Sequence, residues 1–228
     1  MNHMLAHAGI FRNRSSDLLV EFVKKLETVT FHRGEVIFIE GEPGDKLYIV
    51  ITGKVKIGRR SADGRDILIA LMGPLDIFGE IAIFDPILRS STVTALSQVK
   101  LIMIDSCKLK NWLISKPEVC VYLLQIIAYR LRFSNNFISD QIFTDVPGRL
   151  ARQLIYLGKK FGSQFVKDDT TKVHVNHELT QEEIAQLVGS SRETINKTLS
   201  DFTKRGWIHL QSRSIVINDM NKLAKRAS

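Results

Sequence analysis

The feature that most constrains the fold is a long segment without glycine or proline, which runs from Glu118 to Val146. This segment has room for a helix of about seven turns. Seven positions recur along it in alternating steps of three and four residues, which is the spacing of a coiled-coil seam. The seam positions are Val121, Leu124, Ala128, Leu131, Asn135, Ile138 and Ile142.

This seam predicts that the helix pairs with a second copy of itself, because a period of about 3.5 residues suits a partner helix. Asn135 places a polar side chain within the seam, and a buried Asn commonly fixes the register of such helix dimers. The alternative is a single long helix that lies against its own domain.

The segment before this helix has the pattern of a small β-fold. Turn signals at Gly44, Gly53, Gly64 and Gly73 recur 9 to 11 residues apart. Such regular spacing predicts an antiparallel sandwich or barrel. The predicted strands are Val36–Ile39, Leu47–Ile51, Val55–Ile57, Ile67–Leu71, Val93–Leu96 and Leu101–Ile104.

The pattern changes again after the long helix. Asp145-Val146-Pro147-Gly148 ends that helix, and the Pro-Gly pair predicts a hinge between domains. A helix over Arg149–Phe161 and a strand over Lys172–Asn176 are expected to follow. We therefore expect an N-terminal domain over residues 1–116, a dimerisation helix over 117–144 and a C-terminal domain over 145–228.

The most informative stretch begins at Thr180. Thr180-Gln181-Glu182-Glu183 is a capping box, which predicts a short helix that ends at Val188. Gly189-Ser190 supplies a sharp turn, and Ser191 or Ser190 then caps a second helix that runs to Arg205. The buried stripe of the second helix is predicted to be Ile195, Leu199 and Phe202.

Two helices joined in this way form a helix-turn-helix, in which the second helix reads DNA. On its open face, Arg192 and Lys197 can donate to guanine, and Glu193 can accept from cytosine. The alternatives are a solvated charged face for the two cations and simple capping for Glu193. Trp207–Leu210 and Ser214–Ile217 are predicted to form a two-stranded wing.

The charge distribution agrees with a DNA partner. Residues 145–228 contain 14 Lys and Arg against 9 Asp and Glu, and so carry +5 of the chain's net charge of +8. A basic domain attracts polyanions, although a merely soluble basic surface is the alternative.

No apolar stretch approaches the roughly 18 residues of a membrane-spanning helix, and no secretory leader is expected. The two cysteines, Cys107 and Cys120, predict a cytoplasmic protein without a disulfide framework.

The chain resembles the CRP/FNR transcription regulators, and most closely the cyclic-AMP receptor proteins of the actinobacterial branch. The resemblance covers nearly the whole chain. It implies an α+β fold in which an antiparallel jelly-roll β-barrel for a cyclic nucleotide precedes the dimerisation helix and a winged helix-turn-helix. The motifs that carry it are Gly79-Glu80-Ile81-Ala82-Ile83-Phe84 with Arg89-Ser90, then Phe143 through Arg149, and Leu179 through Asn196.

The resemblance implies that cyclic AMP binds in the barrel as an allosteric effector. Arg89 would pair with the cyclic phosphate, while Ser90 and the backbone near Ile81 would donate to it. Glu80 would accept from the ribose hydroxyl, and Gly79 would allow close backbone approach. The alternative is that Glu80 and Arg89 merely form a salt bridge with each other.

Other residues would complete this pocket. Ser134 and Asn135 match the family's adenine-contacting pair, and Arg130 lies one helical turn before them. Ligand contacts would then realign the two long helices of the dimer and so reorient the two helix-turn-helix domains. The chain departs from close relatives at Pro86-Ile87-Leu88, which is expected to alter access to the pocket. The apolar wall would consist of Ile57, Ile69 and Ala70.

For DNA, the resemblance implies a homodimer that reads a palindromic operator with TGTGA-like half-sites and also contacts RNA polymerase. Arg192 and Lys197 would contact guanines, and Glu193 would contact a cytosine. Lys197 stands where the catabolite activator protein has Arg, so its base discrimination is expected to be weaker. The residues expected to hold phosphates are Ser191, Thr194, Thr180, Gln181 and Arg213.

Several rival interpretations concern the same residues. An iron–sulfur sensor needs clustered cysteines near the N-terminus, which this chain lacks. A haem sensor that uses His32 and a ligand-independent regulator are alternatives within the same fold. No nucleotide-hydrolase, esterase or metalloprotease motif is present, so an enzyme is not expected. We expect His174 and His177 to be ordinary surface histidines and the protein to hold no metal.

Overall fold

The computed structural model describes residues 26–85, 88–167 and 170–227. The chain divides into two compact units, Met1–Arg132 and Phe133–Ser228. Among the described residues, none of the helices combines the length and apolar character that a bilayer crossing requires.

Within its described residues, the first unit has eight strands and two short helices, followed by most of a long helix that continues into the second unit. Six of the strands correspond to those predicted from the turn spacing, whereas the strands Glu27–Phe31 and Ile77–Phe78 and the two short helices were not predicted. The elements are β1 Glu27–Phe31, β2 Val36–Phe38, β3 Lys46–Thr52, β4 Val55–Arg60, β5 Asp66–Met72, β6 Ile77–Phe78, α1 Ile81–Phe84, β7 Thr92–Ala95, β8 Val99–Asp105, α2 Ser106–Ser115 and α3 Pro117–Phe143.

The strands form two antiparallel four-stranded sheets, ordered β1-β8-β3-β6 and β2-β7-β4-β5. Strand β3 lies inside the first sheet and is buried on both faces, which explains its nearly continuous apolar run. Tyr48 and Val50 pack in one core cluster with Val55 and Val93 of the second sheet. The two sheets therefore pack face to face, which confirms the predicted α+β fold with a jelly-roll β-domain.

The opposite face of β3 packs against helices. Leu47 and Ile49 share a second core cluster with Leu109 of α2 and with Val119 and Leu123 of α3. Successive side chains of β3 therefore point alternately toward the second sheet and toward the helices. The packing fixes the first turns of α3 beside the first sheet.

The described part of the second unit contains the C-terminal end of α3, four further helices and a four-stranded sheet ordered β11-β12-β10-β9. Helices α5 and α6 form the predicted helix-turn-helix, and β11 and β12 form the predicted wing. Strand β9 and helix α7 were not predicted. The elements are α4 Val146–Phe161, β9 Gly162–Lys167, β10 Thr170–Asn176, α5 Gln181–Val188, α6 Arg192–Lys204, β11 Ile208–Leu210, β12 Ser214–Ile217 and α7 Met220–Ala227.

The predicted hinge segment has regular structure. Asp145 is the N-cap of α4, and its side chain accepts a hydrogen bond from the amide of Gly148 at 2.9 Å. Pro147 occupies the first turn, where its missing N–H costs nothing. Helix α4 therefore begins at Val146 rather than at Arg149, and the break after α3 is confined to Thr144 and Asp145.

Candidate functional site

Four of the predicted ligand residues meet in one region of the first unit, which we call the candidate ligand pocket. Gly79 and Glu80 follow β6 directly, α1 begins at the next residue, and Arg89 lies in the loop before β7. Glu80 is only 2% exposed and Arg89 only 5% exposed, and Arg130 reaches the same place from α3. Two opposite charges have thus been taken out of water in one small region of the fold.

The guanidinium of Arg89 is held by backbone carbonyls. Its Nη1 donates to the carbonyl of Gly79 at 3.0 Å, and its Nη2 donates to the carbonyl of Lys46 at 2.9 Å. The group also stacks over the ring of Phe38, 4.2 Å from the ring centroid. Burial lowers the pKa of Arg89, since the charged form loses hydration.

One nitrogen of this guanidinium has no acceptor. The Nε of Arg89 is buried and has no hydrogen-bond partner among the described residues. A buried, incompletely paired cation is costly unless an anion joins it, and the planar fork of Arg suits phosphate oxygens. The pocket is therefore suited to an anionic ligand.

Gly79 is required by the same geometry. Its φ of 83° lies in the left-handed region, and a Cβ atom there would stand 2.9 Å from Nη1 of Arg89. The same Cβ would stand 2.9 Å from the carbonyl oxygen of Lys46. Any other residue at position 79 would therefore push the guanidinium away from its carbonyl acceptors.

Glu80 pairs with Arg130 rather than with Arg89. The guanidinium of Arg130 donates to the Glu80 carboxylate and to the carbonyl of Ile77. The other carboxylate oxygen, Oε2 of Glu80, is buried without a partner among the described residues. A simple Glu80–Arg89 salt bridge, the alternative that the sequence left open, is not formed.

The remaining ligand-site predictions vary in their surroundings. Ser90 and Ile81 are exposed, and Ile69 is exposed on β5. Ile57 and Ala70 face each other across β4 and β5 and border the core cluster between the two sheets. Ser134 and Asn135 are exposed on α3, in the part of that helix that belongs to the second unit.

Sequence reasoning missed the aromatic side of this pocket. Phe38 stacks on Arg89, and Tyr48 lies beside it with its ring stacked 5.2 Å from that of Phe78. Burial raises the pKa of the Tyr48 hydroxyl. The only signal in the sequence is an aromatic residue on each of two short strands, which core packing also explains. His32, the candidate haem ligand, is exposed after β1.

The expectation of two surface histidines is wrong for His177, which is only 2% exposed. Its Nδ1 accepts a hydrogen bond from the amide of Leu179 at 3.0 Å, so the ring is held in the segment that leads into the helix-turn-helix. His174 is half-buried.

The helix-turn-helix of the second unit has both predicted caps. Thr180 and Glu183 form a complete reciprocal capping box at the start of α5. Gly189 ends that helix with a φ of 71°, and Ser191 then caps α6 by accepting from the amide of Thr194 at 3.2 Å. The predicted stripe of α6 is fully buried, and it consists of Ile195, Leu199 and Phe202.

The opposite face of α6 is open to solvent. Arg192, Glu193 and Lys197 are all exposed in its first two turns, and Nζ of Lys197 lies 2.7 Å from Oε1 of Glu193. Of the expected phosphate contacts, Ser191, Thr180 and Gln181 are exposed. Arg213 is half-buried at the tip of the wing. This arrangement presents hydrogen-bond donors and acceptors of the kind that base edges recognise.

Helix α3 carries an exposed apolar stripe at the predicted seam. Its five large apolar seam residues are 56% to 67% exposed, and Ala128 and Asn135 are exposed between them. A contiguous exposed apolar surface of this kind marks a protein interaction site. The five residues are Val121, Leu124, Leu131, Ile138 and Ile142.

Family models match two regions of the chain. A family model for the cyclic nucleotide-binding domain matches residues 28–115, and one for the Crp-like helix-turn-helix domain matches residues 148–226. The CRP-like cAMP-activated global transcriptional regulator of Mycobacterium tuberculosis (strain ATCC 25618 / H37Rv) is 50% identical over 227 residues, which cover 100% of both chains.

Solved structures give the same fold. A CRP/FNR-family transcriptional regulator from Thermus thermophilus matches with a TM-score of 0.72 at 27% identity, covering 88% of this chain and 98% of its own. FixK2 from Bradyrhizobium japonicum matches with a TM-score of 0.79 over 89% of this chain and 98% of its own, and at 20% identity it supports the fold alone. The chain is therefore a ligand-responsive, DNA-binding transcription regulator of the CRP/FNR family, and not an enzyme.

Proposed function

We propose that this chain is a cyclic-AMP-responsive regulator that binds palindromic DNA as a homodimer. The observation that carries the ligand assignment is the buried pair of incompletely satisfied groups, Nε of Arg89 and Oε2 of Glu80. One is a cationic donor and the other an anionic acceptor. A cyclic nucleotide offers a complementary phosphate anion and a ribose hydroxyl donor.

Each residue of the pocket has a separate task in this proposal. Arg89 binds the phosphate through Nε, the nitrogen that has no carbonyl partner, and Ser90 adds a hydroxyl donor. Glu80 accepts the ribose hydroxyl with Oε2, while Arg130 holds the other carboxylate oxygen. Ile57 and Ala70 supply apolar surface, with Ile69 on the adjacent position of β5.

We assign residues 1–116 to the effector domain, 117–144 to the dimerisation helix and 145–228 to the DNA-binding domain. The exposed seam of α3 is covered by α3 of a second copy, which brings Ser134 and Asn135 of that helix toward an adenine base. A ligand that contacts α3 better in one helix arrangement shifts the dimer toward that arrangement, by an amount set by its differential affinity.

The DNA-bound dimer reads two half-sites that resemble TGTGA. Arg192, Glu193 and Lys197 contact base edges, and the exposed hydroxyls near the two helix caps hold phosphates. RNA polymerase is the further partner we propose. The regulator acts in the cytoplasm, where its DNA lies, and the free thiols of Cys107 and Cys120 suit that reducing compartment.

Calorimetric titration with cyclic AMP and cyclic GMP tests the ligand assignment. Arg89→Leu is expected to abolish binding of cyclic AMP, since its phosphate would be buried without a cation. The matched control is Arg59→Leu, because Arg59 is an exposed arginine of β4 that pairs with Glu40. Undiminished cyclic-AMP affinity in Arg89→Leu, or no binding by the unmodified protein, would rule out the assignment.

A further inference from the structure

The turn of the helix-turn-helix is tied to the end of α3 by one arginine side chain. In the second unit, Arg149 of α4 donates from Nε to the carbonyl of Val188 at 3.1 Å and from Nη2 to the carbonyl of Gly189 at 3.0 Å. Its remaining nitrogen, Nη1, donates to the carbonyl of Thr144 at 2.9 Å. One guanidinium thus bridges the residue that follows α3 and the turn that precedes α6.

Helix α3 contributes a second donor to the same turn. Gln141 donates from Nε2 to the carbonyl of Val188 at 3.0 Å, so that oxygen accepts from both Gln141 and Arg149. The fit is close, because a Cβ atom on Gly189 would lie 2.8 Å from Oε1 of Gln141. Gly189 also has the positive φ that glycine adopts without strain, so the turn has both a conformational and a steric requirement for glycine.

These contacts satisfy groups that need partners. The last carbonyls of a helix have no intrahelical donor, and a cation at that end also interacts favourably with the helix dipole. Charged donors make stronger hydrogen bonds than neutral ones. The planar fork of Arg can serve carbonyls on two segments at once, whereas Lys is a single point of charge.

We propose that Arg149, with Gln141, is a positioning residue that passes movement of α3 to the recognition helix. Ser191, the cap of α6, lies only two residues after Gly189, so the position of the turn sets the start of α6. A displacement at the end of α3 moves Thr144 and Gln141, and the shared guanidinium makes Val188 and Gly189 follow. This inference rests on the proposed function, because it concerns how ligand binding reaches DNA binding.

The test compares the unmodified protein with Arg149→Met and Gln141→Ala. Fluorescence anisotropy gives the affinity for a TGTGA palindrome with and without saturating cyclic AMP, and calorimetry gives the affinity for cyclic AMP itself. In Arg149→Met the ratio of the two DNA affinities is expected to fall about tenfold, while cyclic-AMP affinity stays within about twofold. Gln141→Ala removes one neutral donor and is expected to lower the ratio about threefold.

The control is Arg152→Met, one turn further along α4. Arg152 donates to Asp140 and to the carbonyl of Ala227, and neither group belongs to the turn. The Arg152→Met variant is expected to show the same ratio of DNA affinities with and without cyclic AMP as the unmodified protein. A purely structural role for Arg149 would lower DNA affinity equally with and without cyclic AMP, and that result would overturn the proposal.

Two further outcomes separate this inference from the proposed function. Unmodified protein that gains no DNA affinity from cyclic AMP would contradict the proposed function itself. Unmodified protein that responds, together with Gln141→Ala and Arg149→Met variants that respond as strongly, would contradict the positioning role alone. If Arg149→Met does not fold, Gln141→Ala decides, since it leaves the guanidinium and its three carbonyl bonds in place.

Discussion

Arg130 of the long helix forms an ion pair with Glu80, and the carboxylate of Glu80 is almost completely buried. The same guanidinium donates to the carbonyl of Ile77 at the start of β6. A residue that we assign to ribose recognition is therefore held by the helix that we assign to dimerisation. The pair makes the pocket and the first part of α3 one connected structure.

Replacing Arg130 by Gln is expected to destabilise the first unit by about 3 kcal/mol, because a buried carboxylate loses its counter-ion. The measurement is urea unfolding in a Trp207→Phe background, at fixed protein concentration, so that fluorescence reports Trp112. That tryptophan packs against the core between the first sheet and the helices. Cyclic-AMP affinity is expected to fall as well, since Glu80 loses its orientation.

The control for this prediction is Arg132→Gln. Arg132 lies two residues further along α3 and is exposed, so its loss is expected to change unfolding by no more than about 0.5 kcal/mol. Equal unfolding midpoints for the two variants would show that the Arg130–Glu80 pair contributes nothing to the fold.

The helix-turn-helix could be predicted because its signals are local. The capping box at Thr180, the left-handed glycine at position 189 and the cap at Ser191 each act within four residues of chain. Hydrophobic periodicity then identified the buried face of α6. The side chains that we propose to contact bases are the polar residues of the opposite face.

The ligand pocket could be predicted only in part. Its motif residues were identified by resemblance, but the two carbonyls that hold Arg89 belong to residues 10 and 43 positions away. No local pattern indicates such contacts. Strand β6 has two residues and α1 has four, which is too short for periodicity to show. The positions of Phe38, Arg149 and Gln141 are likewise set by tertiary packing.

Asp145 is expected to make the stability of the second unit depend on pH. Its hydrogen bonds from Arg226 and from the amide of Gly148 lower its pKa below the ordinary value of 3.8. A lowered pKa means that the carboxylate stabilises the folded state above pH 3.8, and that this stabilisation is lost as the pH falls further.

Asp145→Asn isolates that charge, because Asn retains the helix cap. At pH 7 the variant is expected to be less stable by about 0.5 kcal/mol, the size of an exposed ion pair. Denaturant unfolding at pH 7, 5 and 3 should show the difference shrinking only below about pH 4. Asp145→Ala, which also loses the cap, should cost about 1 kcal/mol more. If the difference in unfolding free energy between Asp145→Asn and the unmodified protein stays constant down to pH 3, the charge of Asp145 contributes nothing to stability.

The seam of α3 predicts a dimer that one substitution can separate. Leu131 is exposed in the middle of the seam, and Leu131→Glu would place two like charges in a desolvated interface. Light scattering at micromolar concentration is expected to report a monomer for this variant and a dimer for the unmodified protein. Tyr129→Glu, an exposed position on α3 outside the seam, should remain a dimer. A dimeric Leu131→Glu variant would place the interface elsewhere.

Two classes of arginine contact should be distinguishable on DNA. The dimer is expected to read half-sites about 34 Å apart, one helical turn of DNA. Arg192 is exposed in the first turn of α6, where a bidentate contact to guanine is expected. Arg192→Ala should therefore cost about 1–3 kcal/mol on the palindrome and flatten discrimination at one base pair of each half-site.

Arg213 at the tip of the wing should behave differently, because phosphate contacts position the protein without carrying sequence information. Arg213→Ala is expected to weaken binding to every duplex alike and to reduce the salt dependence by about one counter-ion per contact. Fluorescence anisotropy on matched and singly substituted duplexes, at several salt concentrations, separates the two patterns. Equal losses for Arg192→Ala on every duplex would make Arg192 a phosphate contact, and the recognition helix would then have to enter the groove in another orientation.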